Sequence, residues 1–204
     1  MTDGSPRPTT ARLPAAERRR QLLRAALESF AEHGFHDTSM NDVAEAAGVT
    51  KPVLYQHFAS KQALYHELVD ELGGQLEQAV FEAVSAAEGP RHQVEAGFRA
   101  YFRWATGQGD AFRVLFSERN RADAALAEAI DRVESVVADR VASLIDVPSL
   151  TQDERHVLAF GVVGIAESTS RRWLGLGLGA GTDADAFADQ VARLAWSGLR
   201  GISP

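Results

Sequence analysis

The sequence predicts an all-α fold of about nine helices, with a small N-terminal three-helix head on a larger helical body. Three observations predict it. Apolar residues recur at i, i+3 or i+4 and i+7 in almost every segment. Gly, Pro, Ser, Thr and Asp fall between those segments where helices stop and start. No stretch alternates apolar and polar residues as a half-buried strand does. With 204 residues and 45% hydrophobic content, the chain fits one domain or two small ones sharing an interface.

From Pro14 to His33, Leu23, Leu27 and Phe30 form one apolar stripe. Gly34 follows where a left-handed cap belongs, and Phe35 is placed to fold back onto Phe30 as in a Schellman-type stop. A second, two-turn helix starts at Thr38 or Ser39, whose hydroxyls can accept from free backbone N–H groups, and runs through "MNDVAEAA" to Gly48. Thr50 can cap a third helix, with Lys51 and Pro52 in its first turn, where the missing N–H of proline costs little. Ser60 caps a fourth, from Lys61 to about Ala87.

Gly89 and Pro90 open the fifth helix, through "HQVEAGFRAYFRWA", and Gly109 and Asp110 introduce a short sixth that ends near Phe116. Residues 121–146 make a seventh, stopped at Val147 and Pro148. Thr151 to Glu154 is a capping box, starting an eighth helix that runs to about Leu174. "GLGLGAGT", residues 175–182, reads as a flexible break before a ninth helix from about Asp183 to Leu199. Residues 1–13, "MTDGSPRPTTARL", lack the apolar core of a signal peptide and read as a disordered arm.

The absence of cysteine excludes a disulfide framework and Cys-ligated zinc, and permits a cytoplasmic location. The longest apolar run, "VLAFGVVGIA", is half of what a membrane span needs, so no membrane partner is expected. A net charge of −7 argues against nucleic acid until the chain is divided. Residues 1–66 hold eight Lys/Arg and seven Asp/Glu, whereas residues 67–204 hold thirteen and twenty-one, so the first third carries +1 and the rest −8. The two parts are suited to different work.

Three short helices followed by a long one, with "AAGVTK" between the second and third, form a helix-turn-helix pattern. Small Ala46 and Ala47 let two helices approach, Gly48 turns the chain and Val49 plugs the corner. At about 100° per residue, Leu54 and Phe58 share the core-facing direction, and Pro52, Val53 and Gln56 lie opposite. Tyr55 and His57 fall to either side of that outward face. A recognition helix has this arrangement, with central residues that reach base edges and flanking donors that meet the phosphate walls of the major groove. Lys51 and Lys61 add positive charge at the first turns of consecutive helices, whose N-termini favour phosphate.

The segment "LLRAALESFAEHGFHDTSMNDVAEAAGVTKPVLYQHFASKQALYHEL", from about Leu22 to Leu68, resembles the TetR family of one-component transcriptional regulators. Phe30, Gly34, "TSM", "VAEAAGV" and "LYQHFASKQAL" carry the resemblance. It implies an all-helical homodimer, with residues 14–60 as the DNA-binding domain and 61–204 as a divergent effector-binding and dimerisation domain. It also implies phosphate contacts from Ser39, Thr50, Lys51, Tyr55, His57 and Lys61, and base contacts from Thr50, Val53 and Gln56. Pro52 departs from the glycine that many members carry, so contact there is through ring or carbon atoms rather than a backbone N–H. The function implied is a sequence-specific regulator, a repressor released from a palindromic double-stranded operator by a small molecule. A helical ligand-binding or scaffold protein with a non-functional head is the alternative.

In the body, aromatic residues concentrate in the fifth and sixth helices with a few polar groups nearby. Phe98, Phe102, Phe112, Phe116, Glu167 and Arg171 are the candidate pocket residues, suited to an apolar or amphipathic effector. Gly161, Gly164 and Ser168 form a small-residue stripe on the eighth helix. With Val191 and Leu194 on the ninth they are the candidate dimer interface. No catalytic role, metal site or cofactor is expected. The sequence contains no G-x-S-x-G elbow, phosphate-binding loop or H-E-x-x-H. Gly175, Gly177 and Ala180 match the letters of a dinucleotide fingerprint, but no strand precedes them. His33 and His36 straddle Gly34 at a helix end and read as solvated.

Overall fold

In a computed structural model, which describes residues 14–116, 123–145, 147–177 and 183–200, the chain folds as helices throughout, with no strand among the described residues. The helices are α1 (Ala15–His33), α2 (Met40–Ala46), α3 (Lys51–His57), α4 (Lys61–Ser85), α5 (Pro90–Gly107), α6 (Gly109–Phe116), α7 (Ala124–Leu144), α8 (Gln152–Gly175) and α9 (Ala184–Arg200). The arm at 1–13, the expected first turn of α7 and most of the Gly-rich break lie outside the described residues.

The first three helices stop and start for local reasons. Gly34 has φ 84° and donates to the Phe30 carbonyl at 2.9 Å, but its ψ of 165° is extended, so the stop differs from the Schellman geometry. The expected ring contact forms, with Phe35 and Phe30 centroids 5.7 Å apart. Ser39, not Thr38, caps α2. Its Oγ accepts from the Asn41 and Asp42 amides, and Asp42 returns a bond to the Ser39 amide at 2.8 Å. Thr38 is buried and donates to the carbonyls of Ser29 and Gly34. Gly48, at φ 64°, makes the turn to α3.

α2 and α3 have seven residues each, too few to be stable alone. Packing holds them. Val43, Ala44 and Ala47, then Leu54 and Phe58, share one buried cluster with Leu22, Ala26 and Phe30 of α1 and Leu64, Tyr65 and Leu68 of α4. Burying Leu54 and Phe58 contributes roughly 1.5–3 kcal/mol each. Arg19 of α1 adds a clamp. It pairs with Glu67 of α4, donates to the His57 carbonyl at 3.1 Å and lies 4.5 Å from the centroid of the Phe58 ring.

α4 is 25 residues long, about 37 Å at 1.5 Å per residue, and carries the chain from the head into the body. There α5 packs along α4 and α9, and α7 along α4 and α8. α4 and α7 approach closely at Gly73, where a Cβ would lie 2.5 Å from the Val133 methyls. Phe102, Trp173 and Phe187 form an aromatic core, the last two stacked at 5.0 Å. Arg99–Asp189 (2.6 Å) and Arg103–Asp185 (2.7 Å) tie α5 to α9 along its edge.

Candidate nucleic-acid interface and effector cavity

α3 presents the face expected from its spacing. Leu54 and Phe58 are buried, Lys51, Pro52, Tyr55 and Gln56 are exposed, and Val53 and His57 are half-buried. Tyr55 is 45% exposed, high for a tyrosine in a seven-residue helix, and Lys51 Nζ stands 6.0 Å from its ring centroid. Thr50 takes the N-cap position without a capping bond, so its exposed hydroxyl is not spent on the helix. Ser39, also exposed, stands at the N-terminus of α2. The hydrogen bonds from its amide and hydroxyl hold the Asp42 carboxyl below the usual carboxylate range. This cap contributes fully above the ordinary carboxylate pKa and is lost only as pH falls through the lowered value.

Lys61 is used differently. Its Nζ donates to the carbonyls of Phe35 (2.6 Å), Thr38 (2.8 Å) and His36 (3.3 Å), and lies 4.4 Å from the centroid of the Phe35 ring. One ammonium thus gathers the α1–α2 turn onto the start of α4, and so sets the pose of Ser39.

The body contains a cavity of about 300 Å³ between α4, α5, α7, α8 and α9. Its wall is mainly aliphatic and aromatic. Val80, Phe81 and Val84 come from α4, Gly97, Phe98 and Tyr101 from α5, and Val133, Val137 and Val141 from α7, with Val162 and Val163 of α8 and Trp196 of α9 closing it. The charged lining residues are Glu77, Glu134, Arg140 and Glu167. Of the pocket residues expected from sequence, Phe98, Phe116 and Glu167 stand on this wall. Phe102 does not, because it is fully buried in the aromatic core. Phe112 and Arg171 line a separate cleft of about 660 Å³ between the head and the body, and Phe116 belongs to both walls.

α6 connects the cavity to the head. Phe116 packs 6.3 Å from Tyr101 and 4.8 Å from Phe112, and the Tyr65 hydroxyl of α4 donates to the Val114 carbonyl at 3.2 Å. α6 also lies against α1.

On the outer face of α8, Gly161 and Ser168 are exposed and Gly164 half-exposed, with nothing within 4 Å of where a Cβ would stand on either glycine. Val157 (70% exposed) and Phe160 extend this stripe, and Leu194 of α9 is 64% exposed. Val191 is buried in the protomer's own core. Spacing alone does not separate it from Leu194, because α9 carries apolar residues on more than one face.

No group of three or more His, Asp or Glu able to hold a metal occurs among the described residues, nor any helix long and apolar enough to cross a membrane.

Comparison with known proteins agrees with this geometry. The family described as bacterial regulatory proteins, tetR family, matches residues 22–68, and a tetracyclin repressor-like C-terminal domain matches residues 90–198. The HTH-type transcriptional activator FasR of Mycolicibacterium smegmatis is 32% identical over 94% of this chain and 87% of its own length. A TetR-like regulator from Rhodococcus sp. RHA1 superposes with a TM-score of 0.75 at 29% identity, covering 93% of this chain and all of its own. The transcriptional regulator FadR of Bacillus subtilis, solved in complex with stearoyl-CoA, shares the fold, with a TM-score of 0.77 at 19% identity over 88% of this chain and 98% of its own.

Proposed function

The chain belongs to the TetR family and is a DNA-binding transcriptional regulator, and on that premise we propose that it binds a palindromic operator as a cytoplasmic homodimer whose affinity falls when an acyl ligand fills the body cavity. The apolar cavity carries the ligand reading. Its wall of valines, Phe98, Phe116 and Trp196 suits a hydrocarbon chain, and FadR, a protein of the same fold, holds stearoyl-CoA. The exposed stripe from Val157 to Ser168, with Leu194, supports the dimer, since small residues let two helices approach closely.

In such a dimer the recognition helices enter successive major grooves about 34–36 Å apart. Ligand can change that spacing only by binding one dimer geometry more tightly than the other. Phe116 supplies the contact through which it does so, because the helix that carries it also packs on α1. Sequence alone suggests a repressor, whereas the relative matched along nearly the whole chain is named an activator. We infer that operator position relative to the promoter sets the sign, since both actions need the same two-state dimer.

Selection of bound fragments from a random DNA pool tests the reading. A palindromic site is expected, and failure to enrich any sequence counts against it. On that site, Gln56→Ala is expected to cost about 1–3 kcal/mol and to relax preference at one or two base pairs. An equal loss on every sequence would mean that Gln56 does not read bases.

The two lysines should separate in a salt titration. Lys51→Ala removes a phosphate contact and is expected to lower the slope of log affinity against log salt by about 0.9 per protomer. Lys61→Met is expected to weaken binding with the slope unchanged, because its ammonium is held by three carbonyls and acts by setting the turn. A reduced slope in Lys61→Met would instead make it a phosphate contact.

A further inference from the structure

The exposed residues of the cavity wall include Phe81 of α4, Pro90 at the start of α5, and Arg140 and Leu144 of α7. The opposite end, at Phe98, Tyr101 and Phe116, is buried. An amphiphile entering at the open side therefore has its tail toward α6 and its head beside Arg140. The Arg140 guanidinium lies 4.5 Å from the centroid of the Phe81 ring, a cation–π contact at the mouth. Its Nε and Nη2 both point to a single carboxylate oxygen, Glu77 Oε1, each at 3.3 Å. These are long bonds for a charge-assisted pair, and a guanidinium carries five N–H donors in a fork that suits two anionic oxygens.

We propose that Arg140 is the head-group-binding residue of the effector site, taking an anionic head, carboxylate or phosphate, in exchange for Glu77 while the alkyl chain fills the cavity. This rests on the reading of the cavity as an acyl site and adds the head chemistry and the direction of entry. Glu77 is the competing anion. Its side chain is 25% exposed, and the ligand releases it toward solvent. Glu134 also lines the wall, so the head is held at the Arg140 side of the mouth.

The test measures binding of dodecanoate, dodecanoyl-CoA and dodecanol to the full chain, as wild type, Arg140→Gln and Glu77→Gln. Arg140→Gln is expected to weaken the two anionic probes roughly 10- to 100-fold, the range of a lost charge-assisted hydrogen bond, and to leave dodecanol within about twofold. Glu77→Gln, which removes the competitor, is expected to tighten the anionic probes and leave dodecanol unchanged. Loss confined to dodecanoate identifies a carboxylate head, and loss confined to dodecanoyl-CoA a phosphate head. Each supports the proposal. Equal loss of all three probes in Arg140→Gln, or no discrimination in either variant, overturns it while leaving the acyl site intact. Failure of the wild type to bind any of the three overturns the acyl reading and this proposal with it.

Discussion

Replacing both Phe160 and Leu194 with aspartate is expected to convert the protein to a monomer at micromolar concentration and to lower operator affinity roughly a hundredfold or more, since a half-site keeps only half of the phosphate and base contacts. Both side chains are exposed in the protomer, so the substitutions cost the isolated fold little. In a dimer they place carboxylates in a closed apolar seam, where an unpaired charge costs several kcal/mol. Sedimentation and fluorescence anisotropy read the two effects, and an unchanged helical circular-dichroism spectrum shows that the protomer is still folded, although loss of the dimer lowers its thermal midpoint. A variant that stays dimeric would move the interface away from α8 and α9. The small residues give the same face a second property. Gly161 and Gly164 leave space that a mate helix would fill in the proposed dimer, so Gly164→Leu should also weaken the dimer without touching the core.

Filling the cavity should separate sensing from DNA binding. Val162→Trp places an indole in a space of about 300 Å³ bounded by Val133, Val137 and Phe98. The expected result is loss of acyl-ligand affinity by more than about tenfold, with operator affinity in the absence of ligand within about twofold of wild type. Overpacking costs typically about 1–3 kcal/mol, so a shift in the thermal midpoint is expected as well. If the variant still releases operator on ligand addition, the effector acts elsewhere, and the cleft between head and body becomes the place to look.

The helices and the exposed face of α3 were legible in the chain because each rests on local rules. The capping box at Thr151–Glu154 stands where a hydroxyl precedes an acid by three residues, and Ser39 is one of the two hydroxyls that the spacing offers as the cap of α2. In α3, Leu54 and Phe58 are one turn apart, and burying them forces Gln56 and Tyr55 outward. The cavity was less legible. Aromatic residues of α5 drew attention, yet Phe102 is core because Trp173 and Phe187, far along the chain, cover it. The wall is built largely from valines of α4, α7 and α8, each of which in isolation has the spacing of ordinary core. Helical periodicity gives the faces of one helix but not which neighbour covers each. Arg140 has the same difficulty, because an arginine on an exposed helix turn is ordinarily solvated, and only its position beside Phe81 and Glu77 marks the mouth. Lys61 shows the converse. Its place at a helix start suggests a phosphate contact, whereas the fold brings three carbonyls to its ammonium.

In the proposed regulator the two halves of the molecule are coupled, with α3 on DNA and an acyl chain in the body that changes its hold. Operator affinity measured with and without dodecanoyl-CoA, on the site selected from the DNA pool, tests it most directly. The ligand is expected to weaken the wild-type complex at least about tenfold, a coupling within the usual range of roughly 1–3 kcal/mol, and to leave Val162→Trp unaffected. Equal operator affinity with the cavity demonstrably occupied and empty would contradict it.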